Sequence, residues 1–321
     1  MVGCGGFLSF LSAFGRQSRT GLVALRTEGN KVSYAHGDTP RSGKPVVISC
    51  GEAEWRGDAE SLARAYREFG FGNKTRCAKL LAAGDYQISA VEAPNVPEAE
   101  LKTAMRWRMK DVIDYPVEQS VFDLLQIPSA EGAAARARWI YVVAARSELV
   151  KTYAERFDEA KVPLSVIDIP ETAQRNIAVL YERDARGVGL LYFDDAGGLL
   201  TVTSGGELYL ARRFDFTMSQ IRRDDDDYRE DLYNRILVEL QRTLDNFERQ
   251  YSQIVLSRLM LGPEPEPTPL AAYLQSNLGV KVAEVALEEV LEFRNRVPDA
   301  QIKWRYFHLI GCSIRSEGRP Q

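Results

Sequence analysis

The chain has 321 residues, of which 45% are hydrophobic, and a net charge of −4 from 41 basic and 45 acidic side chains. This length and composition suit one large or two ordinary domains with real cores, and the charge balance argues against a general affinity for nucleic acid. The cysteines at positions 4, 50, 77 and 312 are scattered, which indicates reduced thiols in a cytoplasm rather than disulfides or a zinc site. Neither His36 nor His308 lies in a catalytic motif, so we expect both to be structural.

The N-terminal segment, residues 1–18, begins "MVGCGGFLSFLSAFGR". It lacks the basic start of a signal peptide, and its apolar run is shorter than the ~20 residues that span a bilayer. We treat it as a separate segment that is flexible or lies against a membrane surface or a partner. No other stretch is apolar enough to cross a membrane, so we expect a soluble protein.

Strand-like runs dominate the first half of the chain. "TGLVALRT", "KVSYAH" and "KPVVISC" are separated by turn residues, and a helical pattern follows at residues 58–69. Two further strand-like runs, "CAKLLAA" and "YQISAVEA", come next. Residues 128–139 are a flexible loop or a partial helix. We assign residues 19–186 to a first lobe with a subdomain inserted at about 90–160.

The middle of the chain reads "VPLSVIDIPETAQRNIAVLYERD", which predicts a buried strand and then a helix. Pro170 suits the first turn of that helix, because its missing N–H is not needed there. Ala173, Ile177 and Leu180 follow on one helical face.

Three strand-like runs with glycine turns open the second half at Gly187, as three such runs open the first. A helix is predicted over 228–252, with an apolar stripe that we assign to the core. The acids of "RRDDDDYRED" (222–231) precede it and complement the helix dipole, so a metal role is disfavoured. A strand then ends at Gly262, and "TPLAAYLQSNLG" predicts a helix that starts at a threonine and stops at Gly279.

Because the same pattern opens both halves, the sequence predicts a duplicated α/β fold of two lobes around a cleft, the second lobe spanning 187–321. The strand, the helix of small residues and the glycine hairpin follow one another as in actin-like (RNase H-like) folds.

Four segments resemble the PilM family of type IV pilus assembly proteins. They are, in the family's order, "VEAPNVPEAELKTAMRWRMKDVIDYPVEQSVFDLLQI", "VIDIPETAQRNIAV", "ELQRTLDNFERQYSQ" and "LIGCSIR", and they span most of the chain from 91 to 315. The resemblance implies a cytoplasmic protein at the inner membrane of a bacterium. It also implies binding to the cytoplasmic tail of a single-pass PilN-like protein, with a pilus assembly ATPase as a further partner. The family's groove residues follow no short motif, so the partner-binding residues stay unassigned.

The resemblance also places two phosphate-binding hairpins in the chain. An Asp-Ile-Gly motif aligned with "GLVALRTEGNK" puts Val23 at the aspartate and Leu25 at the glycine. A branched apolar side chain cannot hold magnesium, and Leu25 would crowd a phosphate. The first hairpin therefore looks incapable of binding nucleotide.

The second hairpin, "FDDAGGLLTV", retains more of the motif. Asp194 is present, Ala196 replaces the motif glycine, and Gly197 and Gly198 keep the turn possible. Of the adenosine-binding glycine pair, Gly262 remains. If nucleotide binds at all, these residues (Asp194, Gly197, Gly198 and Gly262) are the candidates for ATP and magnesium.

The sequence therefore predicts a scaffold with no catalytic residue, no resident metal and no cofactor, whose actin-like fold binds a membrane protein's tail. The first alternative is a nucleotide-binding ATPase or switch that uses the residual hairpin. The second is a filament-forming protein, for which nothing in the sequence suggests a longitudinal interface.

Overall fold

A computed structural model describes residues 21–128 and 138–316. The N-terminal segment and most of the predicted loop at 128–139 lie outside these residues. Two compact units are present. The first comprises residues up to Asp38 and Cys50–Pro170, and the second comprises Thr39–Ser49 and Glu171–Arg315.

The main sheet of the first unit is mixed and has the strand order β3-β2-β1-β4-β8. Neighbouring strands β1 and β2 are antiparallel, whereas β4 pairs in parallel with both β1 and β8. The elements of this unit are β1 Leu22–Glu28, β2 Lys31–Asp38, β3 Val46–Glu54, α1 Ala59–Glu68, β4 Arg76–Leu80, β5 Tyr86–Glu92, α2 Glu98–Arg108, β6 Ser120–Gln126, β7 Trp139–Arg146, α3 Ser147–Glu159 and β8 Leu164–Asp168.

An inserted subdomain lies between β4 and α3. Its sheet has the order β5-β7-β6, and α2 packs on one face through Leu101, Met105 and Met109. Side chains of β7 alternate between two cores, since Val142 faces the α2 side and Val143 contacts the core around Leu81.

The predicted insertion extends to about residue 160, which includes α3. In the structure, α3 contacts two clusters: Phe157 lies with Leu62 and Val23, whereas Tyr153 packs against the cluster that contains Val143 of β7.

The second unit repeats the topology of the first, with the order β11-β10-β9-β12-β13. An antiparallel meander is again followed by two parallel strands, which confirms the predicted duplication of the strand pattern. The elements are α4 Pro170–Ala178, β9 Gly187–Asp194, β10 Gly197–Ser204, β11 Glu207–Phe214, α5 Met218–Ile221, α6 Asp226–Gln250, β12 Leu256–Leu261, α7 Leu270–Asn277, β13 Val282–Glu284, α8 Leu287–Val290, β14 Glu292–Phe293, α9 Ala300–Arg305 and α10 Phe307–Ser313. Strand β14 pairs with Val46 and Val47, the part of β3 that belongs to this unit.

The second unit begins at Glu171, whereas the sequence placed the boundary at Gly187. The difference arises because α4 packs with β9, β10 and α10: the Gln174 side chain donates to the Leu190 and Leu199 carbonyls. A Cβ on Gly311 would lie only 2.1 Å from the Ala173 carbonyl oxygen, so α4 and α10 are in close backbone contact.

Helix α6 confirms the predicted apolar stripe. The buried residues of the stripe include Leu232, Ile236, Leu240 and Phe247. One of the acids before the helix is its N-cap, because the Asp225 carboxylate accepts a hydrogen bond from the Tyr228 N–H at 3.1 Å.

Helix α7 differs from the prediction at its C-terminal end. It begins at Leu270, whose N–H donates to the Thr268 hydroxyl at 3.3 Å, and that hydroxyl donates in turn to Glu264. It ends at Asn277, and the backbone of the next residue, Leu278, is extended, so Gly279 is not the residue that stops the helix.

Candidate functional site

The hairpin between β9 and β10 forms at the predicted place, with Asp194 and Gly197 paired across the turn. One carboxylate oxygen of Asp194 accepts a hydrogen bond of 2.8 Å from the Ala196 N–H. Such a bond closes the turn locally, as aspartates commonly do in tight turns. Asp194 therefore has a structural role in the hairpin that requires no ligand.

The glycines of the hairpin are constrained by the protein itself. Gly197 has φ +134°, and a Cβ there would lie 2.6 Å from the Phe214 carbonyl oxygen. A Cβ on Gly198 would lie 2.6 Å from the Phe193 ring. Neighbouring strand and ring atoms therefore leave no room for a side chain at these two positions.

Gly262 follows β12 at the same end of the sheet, because β12 and β9 are parallel. Its N–H donates to the Leu191 carbonyl at 2.7 Å, so that donor is already engaged. A Cβ at this position would be 2.7 Å from the Tyr192 ring. Tyr192 is itself fixed, since it stacks on Phe307 and donates to the Trp304 carbonyl.

The structure thus brings the four predicted site residues to one end of one sheet, and intramolecular contacts account for each. The described residues contain no cluster of three or more His, Cys, Asp or Glu side chains that could hold a metal ion.

The two positions of the first hairpin lie inside the core of the first unit. Val23 and Leu25 are both completely buried, in a cluster with Leu62, Tyr66 and Phe157. No polar side chain is present at either position, and the main-chain groups belong to the strand pairing of β1. Neither residue could contact a magnesium ion or a phosphate.

Sequence reasoning missed a buried polar network on α4. The Gln174 amide is fully buried and donates to Leu190, Leu199 and the Thr201 hydroxyl at 2.8–3.0 Å. Its carbonyl oxygen lies 3.1 Å from His308 Nε2, which makes His308 a structural histidine as expected. The network joins α4, β9, β10 and α10.

A second buried polar contact lies at the start of α4. The Glu171 carboxylate is fully buried, and the Arg213 guanidinium donates to it at 2.9 Å. A buried carboxylate must have such a partner, because its desolvation costs several kcal/mol. This pair fixes the first turn of α4 against β11.

A surface groove of about 520 Å³ lies between the end of β11 and α6. It contains the Arg212–Glu239 ion pair at 2.7 Å, and Arg235 stacks over Phe216 at 5.5 Å. The lining residues are Arg212, Arg213, Phe214, Asp215, Phe216, Asn234, Arg235, Val238 and Glu239. None of the four predicted nucleotide residues lines it.

Two buried cysteines and one half-buried cysteine are free thiols in the described part of the chain: Cys77, Cys312 and Cys50. Burial raises the pKa of the Cys50 thiol to about 12 and that of Cys77 above the usual range. Both thiols are therefore protonated and unreactive at neutral pH.

Within the described residues, no helix is both long enough and apolar enough to span a bilayer.

The sequence matches no family model and no curated protein. Solved structures do match. The structure described as the PilM-PilN type IV pilus biogenesis complex has a TM-score of 0.68 at 19% identity, covering 94% of this chain and all of the other. Because the identity is low, this similarity establishes the fold alone.

Two other solved structures are more distant. The cytoplasmic domain of EpsL, an inner-membrane component of the type II secretion system of Vibrio cholerae, has a TM-score of 0.46 at 12% identity over 89% of this chain and 93% of the other. A Bacteroides thetaiotaomicron protein with an actin-like ATPase fold has a TM-score of 0.44 at 9% identity over 86% and 93%. The similarity to the PilM-PilN structure, together with the strand order repeated in the two units, confirms the predicted duplicated α/β fold class.

Proposed function

We propose that this protein is a cytoplasmic scaffold of a type IV pilus assembly platform. In this proposal it binds the cytoplasmic tail of a single-pass, PilN-like protein of the inner membrane and catalyses no reaction. The observation that supports it most is the agreement of its fold, over 94% of the chain, with a solved pilus biogenesis complex of PilM and PilN.

The finer assignment is to the pili of the mannose-sensitive haemagglutinin type, whose biogenesis protein MshI the four quoted segments resemble. The proposed location is peripheral at the inner membrane, with the pilus assembly ATPase as a second partner. A neighbouring gene for a single-pass platform protein would support this assignment.

The proposal that the scaffold is not an ATPase rests on the two hairpins. Transition-state stabilisation in phosphoryl transfer depends on magnesium and on donors placed around the phosphates. Val23 and Leu25 provide neither, and the N–H of Gly262 is used within the sheet. We therefore assign these hairpins a structural role.

The proposal is tested by titrating the full chain with a synthetic peptide of the PilN-like cytoplasmic tail in a calorimeter. We expect saturable binding with one site, and none for a peptide of the same composition in scrambled order. A tail that fails to bind with a Kd below about 1 mM, roughly −4 kcal/mol, would contradict the proposed function.

A further inference from the structure

Helix α2 of the inserted subdomain presents an exposed tryptophan. Trp107 is 78% exposed, the largest value among the exposed large hydrophobic residues that the structure describes. On the opposite side of the helix, Leu101, Met105 and Met109 are buried at 3% exposure or less. The helix is thus anchored in the subdomain core, and Trp107 projects outward from a rigid base.

Basic side chains surround Trp107. The stretch from Lys102 to Lys110 contains four cationic residues and no acidic one, in a chain whose net charge is −4. Lys102 pairs with Asp123 at 3.1 Å, and the exposed Asp111 follows Lys110 in the turn after α2, so three cations and one acid lie near Trp107. Arg106 and Lys110 are exposed, and neither forms an ion pair within the described residues. Arg108 donates to the Glu92 carbonyl at 3.0 Å, a contact that leaves its charge uncompensated.

Helix stability explains part of this pattern. Cations in the last turn complement the helix dipole, which accounts for the sign of Arg106 and Arg108. Helix stability does not account for the exposed indole between them, because an apolar ring is unfavourable in water and this one does not stabilise the subdomain. Tryptophan is enriched at protein interfaces and at membrane surfaces, where one end of the ring is apolar and the other is hydrated.

We propose that this α2 basic face, formed by Arg106, Trp107, Arg108 and Lys110, docks onto an anionic lipid surface. An indole ring is favoured at a membrane interface, since its body is apolar and its N–H stays hydrated. Each cation near an anionic leaflet adds about fivefold to the affinity. The side chains of the face, on the last turn of α2 and the turn after it, are exposed, so a flat bilayer can reach them.

The experiment is vesicle co-sedimentation of the full chain. Vesicles contain either phosphatidylcholine alone or equal parts of phosphatidylcholine and phosphatidylglycerol, and no partner protein is present. We expect binding to the anionic vesicles only, weakening as salt increases. Tryptophan emission should shift to the blue on binding, and Trp107→Ala should remove the shift, although three other tryptophans remain.

The variant Arg106→Glu/Lys110→Glu should lose anionic-vesicle binding by at least about tenfold. Its control is Arg64→Glu/Lys151→Glu, the same charge change on two other helices of the first unit, where the half-buried Arg64 and the exposed Lys151 pair with Glu68 and Glu155. This control should bind much better than the α2 variant. Absence of binding to anionic vesicles would overturn the proposal. So would equal loss in both double variants, or retention in the α2 variant, which would place the contact elsewhere.

The outcome is separable from the proposed scaffold function. If the α2 variant loses binding to the PilN-like tail while the native chain ignores vesicles, the face binds an acidic peptide and the lipid proposal is wrong. If the native chain binds vesicles through α2 and ignores the tail, the lipid proposal stands without the scaffold function.

Discussion

At the residue scale, neighbouring aromatic rings leave no room for a side chain at Gly198 and Gly262. The ideal Cβ positions of the two residues would lie within 2.7 Å of the Phe193 and Tyr192 rings respectively. The sequence predicted that Gly198 lies in a hairpin turn and that a strand ends at Gly262, but it carries no information on which atoms approach the two glycines. Only the packing of strands β9 and β12 shows that the approaching group belongs to the protein.

Replacing Gly262 by alanine should therefore lower the free energy of unfolding by about 1–3 kcal/mol, because the added methyl group overpacks against the fixed Tyr192 ring. Urea denaturation measures the change. Gly279→Ala is the control, since nothing lies within 4 Å of a Cβ there, and it should be neutral or slightly stabilising. Unchanged stability in Gly262→Ala would show that this glycine is kept for another reason.

Lys79 gives a prediction for pH. Its side chain is fully buried on β4, donates to the Thr27 hydroxyl at 2.9 Å and lies over the Tyr153 ring. Burial lowers the pKa of Lys79 to about 8, with Arg26 and Arg156 adding to the effect and Asp85 and Cys77 opposing it. The folded protein therefore holds this proton less tightly than the unfolded chain does.

Between about pH 8 and the ordinary lysine pKa of ~10.4, the unfolded chain binds more protons at Lys79 than the folded chain does. The contribution of Lys79 to the free energy of unfolding therefore rises with pH across that window. Below about pH 8 the folded state carries the full cost of a buried charge. Lys79→Met should remove this dependence. We expect the stability of Lys79→Met, relative to that of the native chain, to fall as the pH rises from 8 to 10. Denaturation at each pH measures this difference. A difference that stays constant with pH would contradict the lowered pKa of Lys79.

At the element scale, periodicity predicted most of the fold. The α6 stripe, both meanders and the strand–helix passage into α4 follow from apolar spacing and turn residues, which are local signals. The Gln174 network was not predictable, because its partners are 16 to 134 residues distant in sequence. The C-terminal end of α7 was mispredicted, because the backbone of Leu278 is extended and the helix ends before Gly279.

The acids before α6 give a prediction at this scale. Asp225→Ala removes the N-cap hydrogen bond to the Tyr228 N–H and should cost about 1 kcal/mol of stability. Asp224→Ala removes a neighbouring exposed acid with no cap bond and should change stability by less than about 0.5 kcal/mol. Equal effects of the two substitutions, in matched thermal or urea denaturation, would mean that the acid run acts only through its total charge.

At the scale of the whole molecule, the two units share one strand order and differ in their insertions. Both contain a sheet of the same strand order, and the positions that the family resemblance assigns to nucleotide are occupied by Val23 and Leu25 in one unit and by turn and ring contacts in the other. The alignment with the family motif predicted that the first hairpin lacks the motif's side chains. For the second hairpin it favoured a structural turn, although Asp194 and its glycines also suit a phosphate site.

Thermal unfolding with Mg·ATP distinguishes these possibilities for the whole chain. Ligand at a hundred times its Kd would add ~2.7 kcal/mol, equivalent to a rise in Tm of roughly 5 °C or more. We expect no rise. A rise that Asp194→Ala abolishes would instead support a nucleotide-binding switch.

The most direct test of the central claim, that this actin-like fold holds a protein tail without using nucleotide, is the affinity for the PilN-like tail measured with and without Mg·ATP. If nucleotide binding and tail binding are coupled, nucleotide must change the affinity for the tail by the same factor by which the tail changes the affinity for nucleotide. We predict the same Kd in both conditions. A tail that binds only with nucleotide, or about tenfold more tightly or weakly (~1.4 kcal/mol), would contradict the account.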